Sequence, residues 1–356
     1  MGKSILAVDL PPPLGGLSSV NLSVANMVRE RADIEVIDMI GPGSSGNKAV
    51  SLRKCINYFK LSVSLFLGFR KARRVYFVAN SGLGIWLNIL LASTCRIKGV
   101  PLILHHHTFA YIHNRTLGMS LLTKIMGRSV KHVFLCGCMA EKFLSMYSTN
   151  GDYLVAINPV KLTQNGSSPS LTDKSQVVLG HLSNLTVAKG VHTVLETALK
   201  LKQLGLSVKL LLAGPARTEV EKQLIAQYQI SLGESLEYIG PVYNETKDQF
   251  FSQVDIFLFP TEYPNEAQPL VLFEAMSAGA LVVATPLGCI SEQLKDVGVL
   301  STVQDFTEVV RQRVEDLIQK PSMRSEWSNR SRQMAQQYSS DSEEAFLKLK
   351  ELIIAN

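Results

Sequence analysis

The 356-residue sequence predicts an α/β protein with two domains, each built on a parallel β-sheet. A chain of this length exceeds one ordinary hydrophobic core and fits two domains of ~150 to 200 residues. Hydrophobic residues make up 46% of the chain and charged residues only 19%, which excludes a disordered protein. Short runs of Val, Ile and Leu alternate with helical patterns in both halves, and this alternation is typical of parallel sheets joined by crossover helices.

The predicted strands are short apolar runs spread along both halves of the chain. They are Ser4 to Leu10, Val75 to Ala79, Leu102 to His106, His132 to Cys136, Val177 to Gly180, Val208 to Gly214, Ile256 to Pro260 and Ala280 to Thr285. Helices are predicted from near Ser18 and over His192 to Leu204. Because an open parallel sheet presents its ligands at the strand ends, residues that follow these runs are candidates for a binding site.

The segment from Pro264 to Gly279 is the most informative, because it places Glu266 and Glu274 eight positions apart. In one continuous helix these carboxylates would stand ~12 Å apart along the axis. Pro269 instead favours a helix that begins there, runs through Glu274 and stops at Gly279. Glu266 then lies in the preceding loop and folds back over the start of the helix.

This layout offers one ligand three kinds of contact. The loop carboxylate of Glu266 can accept hydrogen bonds from sugar hydroxyls, and the helix carboxylate of Glu274 can reach a ribose diol. The N–H groups of Leu270 and Val271, at the start of the helix, can hold phosphate oxygens. A nucleotide-sugar carries all three of these groups, so the segment predicts a site for such a donor.

The segment from Glu266 to Gly279 resembles the signature of the retaining glycosyltransferases of GT-B fold known as family 4, among the glycosyl transferases of group 1. That signature is a glutamate, seven residues, and a second glutamate followed by Ala-Met-x-x-Gly. Further matches stand in the expected order: Pro13 to Leu17, His105 to His107, Asn158 to Val160, Gly180 to Ser183, Lys189 to Val191, Leu211 to Gly214 and Gly240 to Val242. The resemblance implies two Rossmann-like domains whose parallel sheets face a central cleft.

The resemblance also implies different roles for the two domains. Residues 1–158 are predicted to form an acceptor-binding, membrane-facing domain, and residues 159–356 a domain that binds the nucleotide-sugar. The terminal helix, at about 335–356, is predicted to pack back on the N-terminal domain.

Three residues are predicted to be catalytic. Lys189 precedes the predicted helix, so its ammonium group and the helix N-terminus can converge on the departing diphosphate, whose charge must be stabilised. The resemblance implies that Glu266 contacts the donor sugar. It also implies that His107, at the end of a strand, faces that sugar.

The remaining predicted site residues bind substrate. Gly15 and Gly16 follow the first strand and allow a ligand to approach the backbone closely. The resemblance implies that this loop borders the cleft between acceptor and donor. His181 stands where the family usually has an arginine, and with an ordinary pKa near 6.5 it would be only partly charged at neutral pH. Whether it replaces that arginine is open. The rest of the set is Asn184, Leu270, Val271 and Glu274.

No metal site and no cofactor are predicted. Successive side chains on a strand point to opposite faces, so three adjacent histidines at 105–107 are poorly placed to bind one metal ion. The chain contains no Asp-x-Asp pair, the usual ligand set of the other large glycosyltransferase fold. The small molecule that the resemblance implies is a UDP- or GDP-linked sugar, which is a substrate and not a cofactor.

The net charge of +6 conceals a difference between the two halves. Residues 1–158 carry 18 basic and 7 acidic residues, whereas the remainder carries 18 basic and 23 acidic residues. Between Arg53 and Lys142 the basic residues interleave with short apolar runs, and Glu141 is the only acid. None of these runs has the ~18 to 20 residues that a spanning helix needs. The pattern favours contact with an anionic membrane surface over a core helix with an ordinary basic face.

The predicted location is the cytoplasm, on the inner face of the cytoplasmic membrane. The chain opens with Met1-Gly2-Lys3 and runs straight into a strand, without the apolar stretch of a signal peptide. The residues predicted to hold the protein on the membrane are Arg70, Lys71, Arg73, Arg74, Leu87 and Leu90.

The predicted function is transfer of a hexose from a nucleotide-sugar to a lipid-linked saccharide in cell-envelope polysaccharide assembly. A sugar-nucleotide-binding partner subunit without activity and a nucleotide-sugar epimerase on the same fold are the alternatives. Nucleic-acid binding is not predicted, because the basic residues interleave with Leu, Ile and Phe and no nucleic-acid motif is present. The sugar, base, acceptor, linkage and oligomeric state stay open.

Overall fold

The structure, a computed structural model, describes residues 2–12, 15–41, 47–149, 152–162 and 176–355. Pro13 and Leu14 of the predicted glycine loop therefore lie outside the described residues. The chain divides into two units, named here the N-terminal domain (residues 1–159 and 341–356) and the C-terminal domain (residues 160–340).

A sheet of six parallel strands forms the centre of the N-terminal domain. Its strands are β1 Lys3–Val8, β2 Ile34–Asp38, β3 Ala72–Val78, β4 Leu102–His105, β5 Lys131–Phe134 and β6 Tyr153–Val155. They are ordered β2-β1-β3-β4-β5-β6 across the sheet. Strands β1 and β4 are buried almost throughout, as expected for parallel strands covered on both faces.

Five helices connect these strands. They are α1 Gly16–Val28, α2 Asn47–Phe66, α3 Ile85–Ile97, α4 Leu117–Met126 and α5 Gly137–Tyr147. Leu6 and Tyr76 of the sheet share an apolar core with Val24 of α1. Burial of this core covers one face of the sheet and fixes where the strands end, which places the loops at the carboxyl edge.

The C-terminal domain repeats this plan. Its strands are β7 Val177–Leu182, β8 Val208–Ala213, β9 Leu236–Gly240, β10 Ile256–Phe259, β11 Leu281–Ala284 and β12 Val299–Leu300, in the order β12-β11-β10-β7-β8-β9. Its helices are α6 Val191–Gln203, α7 Glu219–Leu232, α8 Asn244–Gln253, α9 Leu270–Ala278, α10 Ile290–Leu294, α11 Phe306–Gln319 and α12 Ser322–Ile354. Leu179, Leu210 and Leu258 of the sheet pack with Val194 of α6 and Val310 of α11 in one core.

Helix α12 contributes residues to both domains. Its last part, from residue 341, belongs to the N-terminal domain, where Ala345, Leu349 and Ile353 join the apolar core. The backbone carbonyl of Ile353 also accepts a hydrogen bond from Ser4 Oγ at 2.8 Å. The helix begins at Ser322, directly after Pro321, so the predicted segment at about 335–356 is the last part of a longer helix.

The predicted α/β fold with a parallel sheet in each half is confirmed. All eight predicted strands coincide with observed ones, and β2, β6, β9 and β12 add to them. Helix α9 begins after Pro269 and ends at Gly279, whose left-handed φ of 92° stops it as predicted. Within the described part of the chain, no helix combines the length and apolar character needed to cross a membrane.

Candidate functional site

An ion pair between Lys189 and Glu266 forms the centre of the candidate site in the C-terminal domain. Lys189 Nζ lies 2.6 Å from Glu266 Oε2. The lysine side chain is 21% exposed and the glutamate 9%. The ammonium also stands 4.8 Å from the centre of the Tyr263 ring, where the ring face attracts a cation. The structure thus brings two residues that are 77 positions apart into direct contact, with the lysine still open to solvent.

Gly190 positions Lys189. Lys189 ends a short turn of 3₁₀ helix, Val187–Lys189, and Gly190 follows with a φ of 78°. A Cβ atom on Gly190 would stand 2.1 Å from the carbonyl oxygen of Pro260, so only glycine fits there. The Glu262 N–H donates to the carbonyl of Ala188 at 2.9 Å. These contacts fasten the start of α6 against the carboxyl end of β10.

Thr261 and Gly288 position Glu266. Thr261 Oγ1 donates a hydrogen bond to Glu266 Oε2 at 3.1 Å. The Thr261 carbonyl in turn accepts from Thr285 Oγ1 at 2.5 Å, which links the ends of β10 and β11. Gly288, at a φ of 58°, passes so close to the Glu266 carbonyl that a Cβ atom would lie 2.3 Å from it. The backbone of Glu266 is packed against Gly288 and its carboxylate is hydrogen-bonded by Thr261 and Lys189, so it is not a mobile surface group.

Helix α9 presents its first N–H groups and one carboxylate. Leu270 and Val271 occupy the first turn, where N–H groups have no partner within the helix. Gln293 Nε2 donates to the Pro269 carbonyl at 2.9 Å and fixes the entry to the helix. Glu274, one turn further on, is 20% exposed and forms an ion pair with Lys247 of α8. Glu274 therefore has a cationic partner of its own, separate from Lys189.

His181 is buried at the end of β7. Its Nδ1 lies 2.8 Å from the carbonyl oxygen of Leu258, and its Nε2 lies 2.8 Å from Ser183 Oγ. Burial lowers the pKa of His181 to about 4, and the backbone hydrogen bond to Leu258 only partly offsets this. The ring is neutral at pH 7, so it does not supply the positive charge of the usual arginine.

Asn184 lies in the exposed loop after β7. Its carbonyl accepts hydrogen bonds from Ser183 Oγ at 3.1 Å and from the Thr186 N–H at 2.7 Å, which shape a tight turn. Gly214, with a φ of 121°, lies so near Ser183 that a Cβ atom would be 1.8 Å from the Ser183 carbonyl oxygen. The turn presents the Asn184 side chain to solvent at the carboxyl edge of the sheet.

His107 lies just beyond the end of β4 in the N-terminal domain. Its ring lies against that of His105 at a tilt of 47°, with the centroids 4.0 Å apart. Its Nε2 atom is buried and has no hydrogen-bond partner among the described residues. Burial lowers the pKa of His107 to about 3, so the ring is neutral at pH 7. A neutral imidazole with an unused nitrogen suits a hydrogen bond to a ligand hydroxyl.

Gly15 and Gly16 begin α1 and are both exposed. Ser18 Oγ accepts a hydrogen bond from the Gly15 N–H at 2.9 Å, which caps the helix start locally. A Cβ atom on Gly16 would have nothing within 4 Å among the described atoms. The fold itself therefore leaves open space beside this backbone.

Three site residues were not predicted from the sequence. Lys247 and Tyr263 contact the predicted Glu274 and Lys189, and Thr261 contacts Glu266. For Thr261 a signal existed, since it directly follows a predicted strand end. Lys247 and Tyr263 had no such signal, because their partners are 27 and 74 positions away in the chain.

Residues 165–334 match the family Glycosyl transferases group 1. The matched segment contains Lys189, Glu266 and Glu274, and it covers most of the C-terminal domain. A search of curated proteins found no match.

Solved glycosyltransferase structures are similar in fold over nearly the full length of the chain. HepE of Anabaena in complex with UDP and glucose matches with a TM-score of 0.71 at 17% identity, over 99% of this chain and 100% of that one. A glycosyltransferase from Rickettsia africae ESF-5 matches with a TM-score of 0.73 at 16% identity, over 100% and 99%. WaaG, a glycosyltransferase involved in lipopolysaccharide biosynthesis, matches with a TM-score of 0.68 at 16% identity, over 99% and 100%. At these identities the likeness shows the fold, which is the GT-B fold.

Proposed function

We propose that this protein is a retaining glycosyltransferase that moves a hexose from a UDP- or GDP-linked sugar to a lipid-linked saccharide during cell-envelope polysaccharide assembly. The observation that carries the proposal is the half-buried Lys189–Glu266 ion pair, within the segment that matches the group 1 family. The pair stands at the carboxyl edge of a parallel sheet, which is where open α/β sheets bind their ligands.

The donor would replace the internal ion pair with two contacts of its own. The donor's diphosphate would take the place of the Glu266 carboxylate as the anionic partner of Lys189. The sugar hydroxyls would then donate hydrogen bonds to the Glu266 carboxylate. The N–H groups of Leu270 and Val271 add to the binding of phosphate. Glu274 accepts hydrogen bonds from the ribose hydroxyls.

In the proposed chemical step, each of these groups has one role. The bond from the anomeric carbon to the diphosphate oxygen breaks, and the electron pair leaves with the diphosphate. The acceptor hydroxyl forms the new bond from the same face, and its proton passes to a phosphate oxygen, so the configuration is retained. Lys189 contributes most because it stabilises the charge that develops on the leaving group. We assign His107, in the N-terminal domain, a hydrogen bond from its neutral ring to a ligand hydroxyl.

The direct test is thermal unfolding of the full chain with UDP-, GDP- and ADP-sugars. A ligand present at a hundred times its Kd adds about 2.7 kcal/mol to the free energy of unfolding, which raises Tm measurably. Stabilisation by one of these donors, together with transfer to an added saccharide acceptor, supports the proposal. If no nucleotide-sugar stabilises the protein, the proposal is wrong.

The same assay separates the two alternatives. A partner subunit without activity would be stabilised by a donor but would neither transfer nor convert it. An epimerase would convert the donor to its epimer without any acceptor, which NMR of the sugar ring protons detects. No contact among the described residues favours either alternative over the transferase.

Replacing Glu274 by alanine is expected to weaken donor binding by about 10- to 100-fold, because a hydrogen bond to a charged group contributes about 1.5–3 kcal/mol. Glu274 lies on the surface of α9 beside Lys247, so its loss should leave the fold intact. Isothermal titration with the donor measures the effect. Glu326→Ala, which removes an exposed helical glutamate elsewhere in the same domain, is the control. Equal donor affinity in Glu274→Ala and the parent would exclude the ribose role.

Activity is expected to survive treatment with a chelator. The leaving group is stabilised in this proposal by Lys189 and the start of α9, so the step does not require a divalent cation. The measurement is the initial rate before and after incubation with EDTA and gel filtration. A loss of rate that Mg²⁺ or Mn²⁺ restores would contradict this prediction.

A further inference from the structure

An exposed apolar surface covers three neighbouring helices of the N-terminal domain. This surface, named here the apolar face, consists of Ile56 and Phe59 of α2, Leu83 and Trp86 at the start of α3, and Leu117 and Leu121 of α4. Leu83 is 87% exposed, Leu117 88% and Phe59 60%. Large apolar side chains exposed together on one surface are uncommon and mark an interaction site.

The three helices pack side by side, and the exposed apolar side chains occupy sides that no neighbouring element of the described chain covers. Helix α2 packs against α3, and α3 packs against α4. The approach of α4 to α3 is close, since a Cβ atom on Gly118 would stand 2.4 Å from Ile85 Cγ2. Ile85 is buried on the inner side of α3, whereas the next residue, Trp86, is 52% exposed. The inner sides of the helices therefore pack in the core, while apolar side chains on their outer sides remain exposed to solvent.

The charge around the apolar face is positive. No acidic residue occurs between Asp38 and Glu141, a stretch that contains all three helices. Exposed basic residues on these helices or directly after them are Lys60, Arg96, Lys98, Lys124 and Arg128. Lys98 Nζ lies 5.3 Å from the centre of the Phe66 ring, which places basic and aromatic groups in contact on this surface. Positive charge beside apolar side chains is complementary to an anionic lipid surface.

The basic cluster at 70–74 was predicted to hold the protein on a membrane, and the structure gives most of it other partners. Arg70 forms an ion pair with Glu35 at 3.1 Å, and Arg73 forms one with Asp33 at 3.1 Å. Arg74 donates to the carbonyl of Leu352. These residues also stand at the amino edge of the sheet, at the start of β3. Three of the four cations therefore have partners within the domain, whereas Lys71 is exposed. The prediction that these four residues hold the protein on a membrane stays a prediction.

The apolar face extends to the carboxyl edge of the sheet. Helices that follow parallel strands begin at that edge, so Leu83 and Leu117, at the starts of α3 and α4, lie at the same end of the domain as His107. Helix α2 connects the apolar face to the carboxyl edge of the sheet. On its inner side Lys54 Nζ lies 2.6 Å from Asp9 Oδ2 and 2.6 Å from Asn80 Oδ1, directly after β1 and β3.

We propose that the apolar face inserts into an anionic lipid bilayer, with Trp86, Leu83 and Leu117 below the headgroups and the basic residues in contact with them. This orientation brings the carboxyl edge of the N-terminal sheet to the membrane surface, where the head group of a lipid-linked acceptor lies. The part of this inference that concerns the acceptor rests on the proposed function. The membrane-binding surface itself is inferred from the exposed apolar side chains and the basic residues beside them.

The position of Trp86 provides a direct measurement. The chain has two tryptophans, and Trp327 packs against the core of the C-terminal domain. In a Trp327→Phe variant of the full chain, the fluorescence of Trp86 alone reports its surroundings. Vesicles of phosphatidylcholine and phosphatidylglycerol are expected to shift its emission to shorter wavelength, and lipids brominated in their acyl chains are expected to quench it. Vesicles of phosphatidylcholine alone should bind the protein less, and ~0.5 M salt should weaken the contact with the anionic ones, since the Debye length falls below ~5 Å.

A triple variant tests whether this surface is the one that binds. Leu83→Ser, Trp86→Ser and Leu117→Ser together should weaken sedimentation with anionic vesicles by at least about tenfold, since each large side chain contributes that order of affinity when it leaves water. The matched control is Leu204→Ser, Val220→Ser and Ile230→Ser, which removes three equally exposed apolar side chains from the C-terminal domain. The control triple should bind vesicles as the parent does.

The outcomes are distinct. Loss of vesicle binding in the first triple but not in the control supports the proposal. Unchanged emission of Trp86 with anionic vesicles overturns it. A parent protein that self-associates in light scattering, and becomes monomeric only in the first triple, would make the face a subunit interface and would also overturn it. Because vesicle binding needs neither donor nor acceptor, a failed donor assay would leave this result standing, and the reverse also holds.

Discussion

Replacing Lys189 by alanine is expected to lower kcat by about 10²-fold or more, the typical cost of removing a group that stabilises charge in the transition state. Lys189 is the cation in contact with Glu266, and its ammonium remains 21% exposed and accessible to a phosphate. The loss should appear in kcat more than in KM, because the charge on the leaving group develops mainly in the transition state.

The geometry predicts how the neighbouring variants behave. Lys189→Arg keeps the charge but carries a larger planar group into a site where Tyr263 lies 4.8 Å from the ammonium, so only partial activity is expected. Glu266 keeps its hydrogen bond from Thr261 in both variants, which should hold the loop in place. Circular dichroism spectra and Tm should therefore stay close to those of the parent.

The measurement is the initial rate of sugar transfer at several donor concentrations. Lys222→Ala is the matched control, since it breaks an exposed ion pair with Glu219 in the same domain without touching the site. A near-parental kcat in Lys189→Ala would mean that another residue stabilises the charge on the leaving group. If activity fell by a similar factor in the Lys222→Ala control, the effect of Lys189→Ala would be due to the loss of an ion pair in general and not to the site.

Acidification from pH 7 to 5.5 is expected to destabilise the N-terminal domain strongly, because it contains four histidines with lowered pKa values, three of them buried. His106 Nδ1 lies 2.9 Å from Tyr111 Oη, and His106 Nε2 lies 3.0 Å from His132 Nδ1. His105 Nδ1 lies 2.6 Å from the Tyr76 hydroxyl. Among the described residues, the hydrogen-bond partners of these rings are tyrosines and another histidine, so a proton added to the cluster would be a buried charge without compensation.

The direction of the pH effect follows from the pKa shifts. Burial lowers the pKa of His107 to about 3 and that of His132 to about 4, while His105 and His106 fall well below their usual 6.5. The unfolded chain takes up protons below pH ~6.5, whereas the folded domain does not until these lower values. The stabilisation is therefore complete above pH ~6.5 and is lost as the pH falls, by about 1.4 kcal/mol per histidine and pH unit.

The acidic groups contribute in a lower pH window. The Arg31 guanidinium, through its hydrogen bond, lowers the pKa of Asp33 to about 2, and that of Arg311 lowers the pKa of Glu308 to about 2. Their contributions are lost below the ordinary carboxyl range, near pH 4. Between pH 6.5 and 5.5 the histidines therefore dominate the change in stability.

Hydrogen exchange resolved by mass spectrometry is the appropriate measurement, because two domains need not unfold together. Amides of β4 and β5 are expected to lose protection at pH 5.5 before those of β7 and β8, after correction for the intrinsic rate at each pH. The C-terminal domain has one buried histidine with a lowered pKa, His181, so it should respond less. Equal protection at both pH values, or earlier loss in β7 and β8, would contradict the prediction.

The sequence by itself determined the fold class and the donor segment. Apolar runs of strand length alternate with helical patterns throughout, and this local periodicity needs no knowledge of contacts. Pro269 and Gly279 likewise set the limits of α9 through their own backbone preferences, which placed Glu266 in a loop and Glu274 on a helix. Features that depend on a residue and its near neighbours were therefore predictable.

The tertiary structure decided which side chains are charged, paired and exposed. The pairs Lys189–Glu266 and Lys247–Glu274 join residues that only the packing of strands and helices brings together. His181 is neutral because the fold buries its ring, a property that its identity alone does not show. Helix α2 is apolar on two sides, and its sequence does not say which side faces water. Burial and pairing depend on the whole fold, because desolvation and Coulomb energy are set by every neighbouring group.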